Sequence, residues 1–314
     1  MLHRRSFRAM GSDMLVILEQ DSETVPDILN DVPAWFEEWE QSFSRFRLDS
    51  ELSRLNRIVD QPVEVSEAFW DVYLAALKAD EFSDGLVTPT VLDAMLDAGY
   101  DRPFDSLPRD QFGWMSAHAL EFHPLSMVVA DPENRTITLP DGVHLDFGGV
   151  AKGWAAHQTV ERLRKFGPCL MNAGGDIAVS GPRLDGSAWA IGVSNPFEAG
   201  TDFDVLSVGS GGVASSGKDR RYWKRNGHLH HHIIDPNTGQ PADTDVLRVT
   251  VVASTAMEAE AAAKTAFILG RDKGLEWIEE NPSCAGLMIL ASGEVFISQS
   301  MLEYLQGVKH AISN

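Results

Sequence analysis

The chain has 314 residues, 44% apolar and 23% charged, the balance of a folded globular protein rather than a disordered or fibrous one. Its 46 acidic side chains outnumber 26 Lys and Arg, and the formal net charge of −20 argues against nucleic acid or anionic membrane as a partner. No run of 18 apolar residues occurs and Met1–Phe7 carries no apolar leader, so no integral membrane segment is expected and the cytoplasm is the expected compartment.

In chain order, residues 7–19 alternate as a strand broken at Met10-Gly11. Residues 24–42 place Val25, Ile28, Leu29, Val32, Trp35, Phe36 and Trp39 at three- and four-residue spacing, which predicts an amphipathic helix with tryptophan core anchors. A second helix is predicted from Ser66 to Phe82, with Ser66 as N-cap. Short strands follow at 127–130, 135–139 and 143–147, then a helix at 151–166. Further strands are predicted near 168–172, 176–180, 188–193, 205–208, 229–234 and 247–253. An Ala-rich helix at 256–270 and strands at 286–291 and 294–298 complete the chain. Strands and helices do not alternate regularly, so the pattern predicts an α+β fold of antiparallel sheets with packed helices. With no repeat and no Gly/Ser- or Pro-rich linker, residues 1–314 read as a single domain. Cys169 and Cys284 lie far apart in apolar surroundings, which suits core residues better than nucleophiles or a zinc cage.

Several segments could carry chemistry. Leu145–Trp154 joins a strand to a helix through Gly148-Gly149, leaving backbone N–H groups and Lys152 to face an anion; on this segment alone a plain strand–helix turn is the preferred reading. Asn172-Ala173-Gly174-Gly175-Asp176 is a hairpin signal. Gly211–Gly217 reads as a Gly/Ser loop whose Ser216, with Arg221 in the basic island Lys218–Arg225, would suit a phosphate. His230-His231-His232 leads into Asp235-Pro236-Asn237-Thr238-Gly239, a strand end entering a rigid turn. Its imidazoles suit acid–base work near neutral pH, although a metal patch or solvated strand end fits the same tract. Glu260 and Lys264 are spaced for an ion pair on a helix whose alanines pack closely enough for the charges to line a cleft.

Taken together and in order, these segments resemble the ApbE-like flavin transferases. The match begins at Phe7-Arg8-Ala9-Met10-Gly11-Ser12, continues through Phe43-Ser44-Arg45-Phe46, Asp49–Asn56 and Gly99-Tyr100-Asp101, and then takes in the segments above. The resemblance implies an ApbE-like fold and an FAD site lined by Met10, Phe46, Leu86, Val87, Thr88 and Ile233, with Asp146, Lys152, Ser216 and Arg221 contacting the cofactor. It implies a magnesium ion facing the Gly149 carbonyl, with further ligands from positions 260 and 264, and it sets His231 and His232 near the reacting phosphates. Such enzymes split the FAD diphosphate, attach FMN to a Thr or Ser hydroxyl of an acceptor flavoprotein and release AMP. On that reading His232 is the first choice of general base, with Asp235 orienting it or serving instead.

The sequence also departs from the family pattern. Glu260 and Lys264 stand where Asp and Thr are usual, and Lys218 and Thr88 each replace a frequent Asp. A protonated lysine repels magnesium, so the Lys264 ammonium is expected where the metal would be, tied to Glu260. Three activities fit: an FMN transferase, a pyrophosphatase splitting FAD to FMN and AMP, and a non-catalytic FAD-binding protein with a degenerate metal site.

Overall fold

The computed structural model describes residues 1–112 and 123–306. Its spine is an eight-stranded, wholly antiparallel sheet: β1 Leu2–Ala9, β2 Ser12–Glu19, β3 Cys169–Ala173, β4 Asp176–Val179, β5 Gly211–Gly217, β6 Val246–Ala253, β7 Cys284–Leu290 and β8 Val295–Ile297. The strands lie side by side in chain order, so most of the other described residues form excursions between sequence-adjacent strands.

Five longer helices are α1 Ile28–Phe43, α2 Glu67–Phe82, α3 Ala151–Leu163, α4 Ala256–Leu269 and α5 Arg271–Glu280. Strand periodicity of two sends Met14, Val16, Cys169, Met171, Val249 and Val251 to the helix-covered face, where they join Phe36, Trp39, Trp154, Ala262 and Phe267. The other face carries Ile177, Val213, Val252 and Leu287 against the hairpin Trp189–Ser194/Asp202–Val208. Both cysteines are buried and unpaired. A smaller cluster of Met95, Tyr100, Leu107, Trp223 and Ile234 packs residues 91–107 against the hairpin Tyr222–Arg225/His228–His231, and Trp223 Nε1 donates to the Ala98 carbonyl at 2.8 Å.

Most expected elements form, including the Ser66 cap, whose hydroxyl accepts from Phe69 N at 3.3 Å. Three expectations need correction. Residues 143–147 form no strand: the Asn56 amide bonds both Leu145 N and Leu145 O at 2.8 Å, satisfying the groups a neighbouring strand would take. Gly211–Gly217 is a central strand rather than a loop, and its glycine has a packing reason. A Cβ on Gly212 would come within 2.3 Å of Ala256 N, at the start of α4. The expected strand at 229–234 ends at His231, and Ile234-Asp235 pair instead with Gln240-Pro241. Helix α5 escapes sequence periodicity because it buries only Gly274 and Ile278.

Candidate active site at the junction of two cavities

The β1–β2 turn places Met10 at the mouth of a cavity. Both Met10 and Gly11 have positive φ, and Met10 N donates to Glu40 Oε2 of α1 at 2.8 Å, which fixes a backbone that a side chain rarely adopts. The chain leaving α1 supplies Arg45 and Phe46. Arg45 Nε lies 2.7 Å from Asp146 Oδ2, and its guanidinium sits 4.2 Å above the Phe46 ring and 4.7 Å from that of Tyr100. The other oxygen of Asp146 accepts from Gly148 N at 2.7 Å and holds the turn that starts α3.

Two cavities open here, of about 380 and 450 Å³. The first is lined by Met10, Phe46, Leu86, Val87, Thr88, Tyr100, Asp146, Gly149, Ile233 and Ile268 among others. The second is more polar, with Ser12, Asn172, Asp176, Ser215, Ser216, Arg248 and Thr250 in its walls. They share Gly11, Gly148, Lys152, Arg221, His232 and Lys264. Cations therefore cluster where an apolar chamber meets a polar one.

Beneath that junction lies a network of buried charge. Glu260 is fully buried; its Oε1 accepts from Lys264 Nζ at 2.9 Å and Lys152 Nζ at 3.3 Å, and its Oε2 accepts from Gly153 N at 2.9 Å. Lys152 also pairs with Asp176, which follows the Gly174-Gly175 turn at the start of β4. Burial opposes ionisation of Lys152, but Asp176 and Glu260 outweigh it and push the ammonium up to about 12. Burial raises the Glu260 carboxyl, yet Lys152 and Lys264 bring it below its ordinary value. For Asp176, burial together with Glu260 outweighs Lys152 and Lys264 and pushes the carboxyl up to about 6.

Of the three successive histidines, only His232 lines the cavities. Burial, then Arg221, His231 and Lys264, lower it well below 6.5, so it is a neutral imidazole at pH 7. Its Nδ1 is buried without a hydrogen-bond partner among the described residues. His231 lies in the core instead: its Nε2 is 3.1 Å from the Ala242 carbonyl, Ile233 N donates to its Nδ1 at 3.3 Å, and its ring meets Phe267 edge-on. Asp235 lines neither cavity, and its Oδ1 accepts from Asn237 N at 2.9 Å, capping the turn. Neither side chain is placed to share the work expected of it.

The structure thus gathers Met10, Phe46, Leu86, Val87, Thr88, Asp146, Gly149, Lys152, Arg221, His232, Ile233 and Lys264 around one cavity, with Ser216 in the adjoining one and Glu260 below. Lys218 turns away to the Thr244 carbonyl. Sequence reading missed Arg45 as a site residue, although it lies inside the Phe43–Phe46 segment. It missed Asp176 too, a lone charge heading a strand buried throughout.

The magnesium site implied by the resemblance does not fit these residues. Magnesium requires an octahedron of oxygen donors. Here both Glu260 oxygens already accept N–H groups, position 264 offers an ammonium, and the described residues hold no group of three His, Cys, Asp or Glu able to bind a metal.

The described fold superposes on the ApbE protein of Thermotoga maritima with a TM-score of 0.87, at 26% identity, covering 98% of this chain and all of that one. Its class is therefore the α+β architecture of the ApbE proteins. The ApbE family profile matches residues 10–288, and the chain belongs to the ApbE family. It is 29% identical over 294 residues to the FAD:protein FMN transferase of Haemophilus influenzae, covering 90% of this chain and 82% of that protein. It is 27% identical over 284 residues to the enzyme of the same name from Vibrio cholerae, covering 88% and 82%. Among the described residues no helix is long and apolar enough to cross a membrane.

Proposed function

We propose that this chain is an FAD:protein FMN transferase that moves FMN from FAD to a Thr or Ser hydroxyl of an acceptor flavoprotein and releases AMP. The observation that carries this reading is the junction of an apolar and a polar cavity at Lys152, Arg221, His232 and Lys264. An aromatic ring system suits the apolar chamber beside Met10, Phe46 and Tyr100, while the lysines and Arg221 meet a diphosphate. The polar cavity reaches the same cations from another side and leaves room for an approaching hydroxyl.

Phosphoryl transfer depends on positioning and charge neutralisation more than on covalent chemistry by the protein. In the proposed step the acceptor oxygen bonds to the phosphorus of the FMN half. The bridging P–O bond breaks, and its electron pair leaves on the phosphate of AMP. His232 takes the hydroxyl proton, a role open to a neutral imidazole between the two cavities. Arg45 holds Asp146, whose other oxygen accepts from Gly148 N, so the turn carrying Gly148 and Gly149 is fixed at the start of α3.

The test is to incubate the purified protein with FAD and candidate acceptor flavoproteins, then read AMP by chromatography and acceptor mass. One FMN phosphoester per AMP, mapped to a Thr or Ser, supports transfer. FMN and AMP with an unmodified acceptor would make the protein a pyrophosphatase, and FAD bound but intact with every acceptor would make it a binding protein.

A further inference from the structure

At the heart of the site stands a lysine where divalent-ion chemistry would need an oxygen ligand. Lys264 lines both cavities, and its ammonium sits 2.9 Å from Glu260 Oε1 with the side chain only 15% exposed. Its stem runs beside Gly149, where a Cβ would lie 3.8 Å from Lys264 Cε. One residue therefore bridges the α3 turn, the buried carboxylate and the open junction. That is the set of positions an ion would have to join.

The surrounding charges are already matched. Asp176 and Glu260 supply two carboxylates, Lys152 and Lys264 two ammoniums, and Glu260 Oε2 is taken by the Gly153 N–H. A divalent ion entering beside Glu260 would displace an ammonium held inside the protein, or sit against two like charges in a region of low dielectric. A tethered ammonium also keeps hydrogens to donate towards the cavity, because one carboxylate oxygen does not use all three.

We propose that Lys264 is the resident cation of this site. Its ammonium takes the position that the family resemblance gives to a metal ion, so the anionic part of the ligand is bound, and its transfer supported, without a divalent cation. The identity of that ligand as FAD rests on the function proposed above; the placement of the cation does not. Since Lys264 is covalently part of α4, the positive charge is fixed at one point and cannot be removed by chelation.

Two measurements test this, on wild type, Lys264→Arg and Lys264→Thr, each first checked for native circular dichroism. The first titrates Mn²⁺, a paramagnetic stand-in for Mg²⁺, and follows the free-ion signal by electron paramagnetic resonance. Wild type and Lys264→Arg are expected to leave the signal unchanged, and Lys264→Thr to gain a stoichiometric site. The second measures FAD binding by flavin fluorescence in EDTA and in Mg²⁺. Wild type is expected to bind equally in both, and Lys264→Thr to lose at least about tenfold in EDTA and recover part of it with Mg²⁺.

Stoichiometric Mn²⁺ binding by wild type, or wild-type FAD affinity that collapses in EDTA, would overturn the proposal. So would a folded Lys264→Thr that gains no Mn²⁺ site, since Lys264 would then not be what keeps the ion out. If no form binds FAD, the flavin reading falls while the Mn²⁺ titration still decides the cation. If neither variant folds, the two wild-type measurements decide it alone.

Discussion

Arg45 and Asp146 form an ion pair at 2.7 Å with both side chains only 7% exposed, tying the end of α1 to the turn that opens α3. The pair is one wall of the first cavity. It is also asymmetric: Asp146 has a second partner in Gly148 N, whereas Arg45 Nη2 is buried with none among the described residues. Arg45 packs instead against the rings of Phe46 and Tyr100, which lie tilted to each other beside it.

Removing one member of such a pair leaves the other charge buried and uncompensated. Arg45→Ala is expected to destabilise the protein by about 3–5 kcal/mol, read as the shift in urea unfolding. The double variant Arg45→Ala/Asp146→Ala should recover part of that loss. A double variant whose cost is the sum of the two singles would mean that the contact couples nothing.

His232 gives a pH signature. Burial and neighbouring cations hold its protonated form down, so it stays neutral as pH falls through the ordinary histidine range. If it is the base, the acid limb of kcat/KM lies well below pH 6.5, and His232→Ala loses about 10²–10⁴-fold in kcat. An acid limb centred at pH 6.5 or above would point to another group.

Asp176 acts on stability with the opposite sign from most paired carboxylates. Its carboxyl, pushed up to about 6, binds a proton more readily in the folded than in the unfolded chain. The folded form therefore gains relative stability from this group as pH falls from 7 through 6 towards the ordinary range near 4. Comparing wild type with Asp176→Asn at pH 7 and pH 5 should show the difference moving in favour of wild type at the lower pH. Movement the other way would show that Lys152 dominates the carboxyl.

Gly153 of α3 packs directly against the first turn of α4. A Cβ there would meet Glu260 Oε2 at 2.7 Å and the Ala256 carbonyl at 2.8 Å. Gly153→Ala is expected to cost about 1–3 kcal/mol despite alanine's better helix propensity. It should also disturb the Gly153 N–Glu260 bond, so FAD binding weakens together with stability. A variant more stable than wild type would mean that the helices part without strain.

How far the sequence could be read depended on whether the signal was local. The Met10-Gly11 break, the Ser66 cap and the alanines of α4 announce themselves within a few residues, and each forms as expected. The β5 strand was hidden because the neighbour that explains Gly212 is the start of helix α4, about forty residues later in the chain. The false strand at 143–147 has the same origin, since Val143, Leu145 and Phe147 are buried as a strand would bury them but the backbone groups of Leu145 bond to the distant Asn56.

In the site, residue type was legible and partnership was not. His230, His231 and His232 are alike as a string; a break in the strand after His231 turns His232 to the cavities and leaves His231 under the Ala242 carbonyl. The Glu260–Lys264 pair was readable from its helical spacing. Its connection through Lys152 to Asp176 required β4 to lie beside α3, and no spacing rule supplies that.

The chain-order sheet has a consequence for how the protein is made. Met10 lies in the first hairpin and Lys264 in the last helix to reach the site, yet both line one cavity. A nascent chain on the ribosome can build strands one after another, but the pocket remains unfinished until α4 has emerged and docked. Flavin capture is therefore expected late in synthesis, and a truncated product ending before α4 would neither sequester the dinucleotide nor act on it.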